Sequence, residues 1–282
     1  MTKIKDNPFS LYSDEFERDG TIFCIKCKTP RTCEIEFEGE TRVVRTKCKC
    51  QKEKEEQETT QKLIEERKRI FREKQKLSMI GEKYLNARFE TAKITPNNEQ
   101  AYKSAKAYTK QAQVVKQNNI GLYIYGDNSS GKTYLTACMC NDLVEQGFTC
   151  VFTSIPKLLA EVGRNVREGG LSQAEVIDNL ARKTFVFIDD LGKEFLGDKS
   201  DYNYSKAEKL LLEVLNARYN NGLPTIFTSN YSLNEFIEKF NLDKAIIERL
   251  NEMATRIIKL EGDNFRELAL AEKNKIAKQL GI

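Results

Sequence analysis

Gly126, Asp127, Asn128, Ser129, Ser130, Gly131, Lys132 and Thr133 follow the order GxxxxGK[ST], a spacing whose chemistry is the cradling of phosphate. Glycines at both ends let such a loop wrap tightly, so that backbone N–H groups point inward at anionic oxygens. Lys132 adds a mobile positive charge for β- and γ-phosphates, and the Thr133 hydroxyl is placed to ligate Mg²⁺. With Tyr134, the next residue, these positions form the expected nucleotide-contacting run. The competing reading is a chance glycine-rich turn. Context opposes it, because an apolar strand precedes the loop and a helical pattern follows, with its positive dipole end at the same anion.

About 50 residues further on, Phe185-Val-Phe-Ile runs into Asp189 and Asp190. Alone, this is a strand followed by an acidic turn. After a phosphate loop it reads as the second half of a nucleotide site. Asp189 is expected to hold Mg²⁺ through its water shell, and Asp190 to orient and help deprotonate an attacking water. A third strand ends in Thr228-Ser229-Asn230. The Asn230 amide can position the same water without adding charge, although Ser-Asn after a strand is also ordinary turn chemistry.

The chain has eight cysteines and no histidine, which excludes imidazole catalysis and imidazole metal ligation. Cys24 and Cys27 form one close pair, Cys48 and Cys50 another, with a predicted hairpin between them around Gly39 and Glu40. Two such pairs can supply four thiolates to a structural Zn²⁺, and a head of about 50 residues has too little core to fold without such help. Unligated reduced thiols are the alternative. Cys33 is a fifth candidate that four-coordinate zinc cannot use at the same time. Cys138, Cys140 and Cys150 fall in apolar segments and read as packing residues.

The elements that must position these groups can be read from periodicity. Short apolar runs at 121–125, 149–153, 184–188 and 224–228 predict strands buried on both faces, as in a parallel sheet, and 254–260 is a fifth candidate. Helices are expected between them, including 132–146 and 205–220. Residues 51–80 are a run of Glu, Lys, Gln and Arg with apolar residues at helical spacing, which predicts a long exposed helix. It reads as a solvated connector or, alternatively, as a binding surface. Lys+Arg exceed Asp+Glu by 46 − 42 = 4, a balance that permits nucleic-acid contact without demanding it. No apolar run approaches the ~20 residues of a membrane span, and Met1–Ser10 lacks the apolar core of a secretory leader. The expected location is the cytoplasm.

Taken together, Tyr84-Leu-Asn-Ala-Arg-Phe89, the phosphate loop, Ile188-Asp-Asp-Leu-Gly192 and Thr228-Ser-Asn230 resemble the DnaC/DnaI-type replicative helicase loaders. These AAA+ ATPases are related to the replication initiator and to the IstB transposition helper. The resemblance covers roughly residues 84–270, and the cysteine head in outline. It implies an α/β fold: an AAA+ P-loop ATPase with a central parallel sheet flanked by helices. The implied domains are a zinc-binding, helicase-engaging head at 1–50, a charged helical linker at 51–83 and the ATPase domain at 84–282. Little room is left after Leu260 for a helical lid.

The resemblance also assigns roles. Lys132, Asp190, Asn230 and Arg249 become the catalytic set, with Arg249, in Ile246-Ile-Glu-Arg249-Leu250, entering a neighbouring subunit's site. A surface salt bridge is the alternative for Arg249. Arg266, in Gly262-Asp-Asn-Phe-Arg266, occupies the sensor 2 place near the nucleotide. Lys157, Arg164 and Arg167, between the second and third strands, would line a channel for single-stranded DNA, or else form a solvated crossover face. The implied cofactors are ATP, Mg²⁺ and Zn²⁺. The implied partners are the hexameric replicative helicase, single-stranded DNA and further copies of the chain, in a bacterial cytosol and encoded by the cell, a phage or a mobile element. A transposition helper acting on duplex DNA, or a zinc nucleic-acid-binding module with a structural nucleotide site, are the other functions this resemblance leaves open.

Overall fold

The structure is a computed structural model in which residues 9–280 are described; most of the Met1–Ser10 stretch read above for a leader lies outside them. The chain forms two compact units that meet in sequence between Ile70 and Phe71. In the first, β1 (Glu15–Arg18) pairs with β2 (Thr21–Cys24), and β3 (Thr32–Phe37) with β4 (Glu40–Arg45), each antiparallel. The second hairpin turns through Glu38 and Gly39, both at positive φ, the two-residue turn whose twist suits paired strands. Among the described residues of this unit only Ile22, Cys24 and Cys48 are buried and apolar, so their hydrophobic burial contributes little to holding it.

Helix α1 (Lys49–Leu77) begins two residues before the charged run, which puts Cys50 in its first turn. It is exposed until its last turns, where Gln75 is buried and donates to Leu85 O (2.7 Å) and Asn141 Oδ1 (2.9 Å).

The second unit continues with α2 (Glu99–Lys110), α3 (Ala112–Gln117), β5 (Leu122–Tyr125), α4 (Lys132–Glu145), β6 (Cys150–Thr153), α5 (Ile155–Glu168), α6 (Gln173–Ala181) and β7 (Phe185–Leu191). It ends with α7 (Tyr202–Asn221), β8 (Thr225–Ser229), α8 (Leu233–Phe240), α9 (Lys244–Met253), β9 (Arg256–Lys259) and α10 (Phe265–Gln279). Polar caps set many helix starts. Ser154 accepts from Lys157 N–H, Ser172 and Ser232 form capping boxes with Glu175 and Glu235, and Asp201 and Asp243 cap α7 and α9.

The five strands form one parallel sheet in the order β6-β7-β8-β5-β9, as the five apolar runs predicted. Alternate residues feed two cores. Phe185, Phe187, Leu122, Ile124 and Ile226 pack with α2, α3 and α4 on one face. Val186, Ile188, Tyr123 and Phe227 pack with α5 to α9 on the other. The result is a three-layer α/β/α unit in which β8 separates the strand leading to the phosphate loop from the strand ending in the two aspartates.

At the opposite, amino-terminal end of the sheet lies Arg218 of α7, fully buried. Its guanidinium donates to Ala181 O (2.8 Å), Thr184 O (3.3 Å), Lys183 O and Pro224 O, and its Nε to Thr225 Oγ1 (3.1 Å). Carbonyl dipoles, with no carboxylate ion-paired to it among the described residues, meet the charge and tie the entries of β7 and β8 to α7. Arg218→Met should therefore take a charged donor from four carbonyls and cost about 3 kcal/mol or more of stability, measured as the shift in denaturant midpoint. A change within about 0.5 kcal/mol would show that the carbonyls find other partners.

Candidate functional site

The phosphate loop spans the gap between β5 and α4, and of its two glycines Gly126 is required by space and Gly131 by its left-handed backbone. A Cβ on Gly126 would lie 2.1 Å from Leu260 O, and Gly131, at φ +97°, would carry one 3.4 Å from the Phe265 ring. The loop is thus pressed against the segment from β9 into α10, which also donates Phe265 N–H to Ser129 O (3.2 Å). Asp127 and Asn128 are exposed at the loop's tip, while Ser130 is buried, its hydroxyl without a hydrogen-bond partner among the described residues. An orphaned hydroxyl inside a phosphate-binding loop fits a site built for a polar ligand.

Lys132 is buried and its ammonium donates to Gly126 O (2.7 Å) and Asp127 O (2.8 Å). Burial pulls its pKa down, opposed by the charges of Asp190, Asp189 and Asp127. Thr133 Oγ1 lies 3.0 Å from Asp189 Oδ2, so the hydroxyl and the carboxylate proposed to share Mg²⁺ are already adjacent. Asp189 also accepts from Thr228 Oγ1 (2.6 Å), and that oxygen in turn accepts from Asp190 N–H (2.8 Å). Burial raises the Asp189 pKa, and the bonds from Thr228 and Thr133 work against it. A Mg²⁺ ion would be held by Thr133 and Asp189, an oxygen donor set of the kind that ion takes.

Asp190 sits at φ +59° in β7, where the strand loses register with β8 just ahead of a turn at Gly192, and pairs with Lys193 Nζ at 2.6 Å. Glu194 folds back onto the same turn, accepting from Gly192 N–H (3.1 Å), and burial pushes its carboxyl up to about 7. Tyr84 stands close enough for Asp189, Asp190 and Arg266 all to act on its phenol, whose pKa is raised chiefly by burial. Asn141 of α4 holds that stretch, donating to Tyr84 O (2.9 Å) and Ala87 O (3.0 Å). The Tyr134 hydroxyl is 3.1 Å from Thr91 Oγ1.

Lys132, Thr133 and Asp189 therefore converge, with Asp190 beside them. Asn230 is half-buried immediately after β8. Arg249 is not part of this group: it donates to Asn216 Oδ1 (3.1 Å), pairs with Glu252 (2.7 Å) and stacks 3.9 Å over Tyr219. Arg266 is exposed in the first turn of α10. Lys157, Arg164 and Arg167 are exposed on α5, and Lys157 is near enough to Asp189 to favour its charge. Thr228 and Tyr84, quoted above without a role, and Asn141, not singled out at all, carry site geometry; the hydroxyl two positions before Asn230 was the available signal.

In the first unit, Sγ atoms of Cys24, Cys27, Cys48 and Cys50 all lie within 4.8 Å of one another, with Cys24–Cys50 at 3.6 Å and Cys48–Cys50 at 3.3 Å. Four sulfurs about 2.3 Å from a tetrahedral zinc would be about 3.8 Å apart, so the donor set fits that ion. Cys33 is exposed on β3 and outside the cluster. Cys138, Cys140 and Cys150 are buried in the core under the sheet.

With loop and carboxylates on strands one apart in a parallel sheet, the class is that of the AAA+ P-loop proteins. The family model described as IstB-like ATP binding protein matches residues 50–273, and the chain belongs to that family. It is 26% identical over 156 residues to the replicative helicase loader DnaI of Bacillus subtilis (strain 168), covering 52% of this chain and 47% of that one. Against the replicative helicase loader DnaC of Escherichia coli (strain K12) it is 23% identical over 148 residues, 51% and 56% of the two chains. The chain thus spans about half the length of these curated relatives. A crystal structure of DnaI superposes with a TM-score of 0.52 at 23% identity, covering 68% of this chain and 98% of that one, a likeness of fold.

The folded chain binds the Asp189 proton more tightly than the unfolded chain does. The ionised carboxylate therefore costs stability above its folded pKa, and acid relieves that cost. At pH 7 without nucleotide, Asp189→Asn should raise the melting midpoint, since it removes the ionised carboxylate that burial disfavours. The same variant should lose the further rise that MgATP gives the wild type. A lowered midpoint without nucleotide would mean that the two hydroxyl bonds outweigh burial.

Proposed function

We propose that this chain is an ATP-dependent loader of a replicative DNA helicase. In this reading it binds ATP and Mg²⁺ in the loop at 126–134, engages the hexameric helicase through its cysteine head and charged helix, and captures single-stranded DNA along Lys157, Arg164 and Arg167. The observation that carries the nucleotide part is the closed set of Thr133 Oγ1, Asp189 and Thr228 Oγ1 beside the Lys132 ammonium. The loader part is supported by likeness to DnaI and DnaC and by a head that precedes the family match.

The residues divide the work of hydrolysis. Loop N–H groups and Lys132 hold the phosphates in place. Thr133 and Asp189 would hold a Mg²⁺ ion, which would supply positive charge to the phosphates. Asp190 takes the proton of the attacking water, which Asn230 and Asp190 orient. Lys193 occupies Asp190 in the single chain, and Arg249 is bonded away from its own site. Both facts favour turnover at junctions between copies, where a neighbour's Arg249 stabilises the departing γ-phosphate. In the head, Zn²⁺ held by Cys24, Cys27, Cys48 and Cys50 acts as a cross-link in place of a hydrophobic core. Such a chain works in the bacterial cytoplasm.

The family's name favours a second reading, a transposition helper acting on duplex DNA. Mixing the purified chain with its host's replicative helicase discriminates: a stable complex by gel filtration with light scattering is expected, with an ATPase rate that changes as single-stranded DNA is added. Failure to bind the helicase, with ATPase activity intact, would remove the loader assignment alone. Lys132→Ala should abolish hydrolysis, a drop of at least about 100-fold in rate. Undiminished nucleotide-dependent behaviour in that variant would make the nucleotide purely structural.

A further inference from the structure

Arg31 joins the two hairpins of the head by its backbone: its N–H donates to Ile22 O (2.7 Å) and its carbonyl accepts from Thr46 N–H (2.8 Å). Its side chain, only 6% exposed, points into the cysteine cluster's surroundings. Nη2 lies 2.6 Å from Asp14 Oδ2 and 3.6 Å from Cys24 Sγ, and Nη1 lies 3.1 Å from Glu15 Oε1. Glu15, whose side chain is fully buried, also accepts from Arg45 Nη1 at 2.8 Å. Arg45's other terminal nitrogen goes to Ser10 O, away from the sulfurs.

Four thiolates around one divalent zinc carry a net charge of 4 − 2 = 2 negative units. This head has almost no apolar core in which to fix such a cluster, and a desolvated charge left unmet is costly. A guanidinium is suited to meeting it. Its planar fork gives one nitrogen to sulfur and others to carboxylates at once, which a lysine ammonium at a single point cannot do. Arg31 could instead be only the ion-pair partner of Asp14 and Glu15. Glu15, however, already has Arg45, and Nη2 of Arg31 is shared between a carboxylate and a thiolate.

We propose that Arg31 is a positioning residue of the metal centre: through its bond to Cys24 Sγ it neutralises part of the cluster's negative charge and sets how fast zinc leaves. This rests on the zinc reading of the four cysteines.

The test uses the full chain purified without added metal. Wild type should contain one zinc per chain by elemental analysis. On addition of a chelating dye, Arg31→Met should release that zinc about ten-fold or more faster than wild type, the scale on which groups supporting metal ligands act. Arg31→Lys, which keeps the charge but not the fork, should fall between the two. Asp14→Asn combined with Arg31→Met removes the acid left without its cation, so the head can stay folded; fast release in this double variant is expected as well. With Co²⁺ in place of zinc, loss of the N–H···S bond should move the sulfur-to-cobalt charge-transfer band to lower energy, which disruption of packing alone would not do. Wild-type release rates and an unmoved band in both methionine variants, with zinc still present, would overturn the proposal and leave the zinc site standing. Wild type without zinc would overturn the zinc reading, and the proposal with it.

Discussion

One half-buried carboxylate governs the arrangement of the larger unit. Asp189 is driven toward neutrality by burial, yet it is held by hydroxyls from two other elements, Thr133 of α4 and Thr228 of β8. A carboxylate in that position is tolerable only if those hydroxyls arrive from fixed directions. The sheet order β7-β8-β5 supplies them, since β8 lies between the acidic strand and the strand that delivers the loop. Thr228 then does two things with one oxygen. It donates to Asp189 and accepts from the backbone of Asp190, so the angle between the two carboxylates is set by a third strand. The two apolar layers on either side of the sheet make that strand spacing rigid.

The two units solve the same stability problem by different chemistry. The larger one buries aromatic and aliphatic residues on both sheet faces, each worth about 1.5–3 kcal/mol when fully buried. The head buries three apolar residues among those described and instead concentrates charge: four cysteines, two acids and two arginines within a few bonds of one another. Arg218 and Arg31 show how differently a buried guanidinium can serve. The first is met by carbonyl dipoles and ties strands to a helix, whereas the second lies against carboxylates and sulfur.

The sheet and the phosphate loop were legible because their physics is local. A strand covered on both faces is a continuous apolar run, and the loop's glycines are dictated by the approach of Leu260 O and by a left-handed backbone. The acidic pair, an ordinary strand end on its own, was legible because it follows a phosphate loop. Other features depend on partners distant in sequence. Arg218 reads as one more cation of a surface helix, and only packing against the starts of β7 and β8 makes it a clamp. Thr228 looks like an ordinary strand residue until the register places it against Asp189. The hairpin of β1 and β2 was not foreseen: its strands are four residues each, and an acid, Glu15, occupies a buried position that alternation would have given to an apolar side chain.

The Lys132 ammonium is not waiting in an open socket: it already holds the carbonyls of Gly126 and Asp127. Nucleotide entry is therefore an exchange of partners. Each charge-assisted bond surrendered is worth about 1.5–3 kcal/mol, so an incoming ligand must return at least two of comparable strength. A tail of three phosphates can do so, and a single phosphate cannot both fill the amide nest and reach the displaced ammonium. On the nucleotide-binding reading proposed above, the loop would favour a longer phosphate chain over a shorter one before any contact with a base.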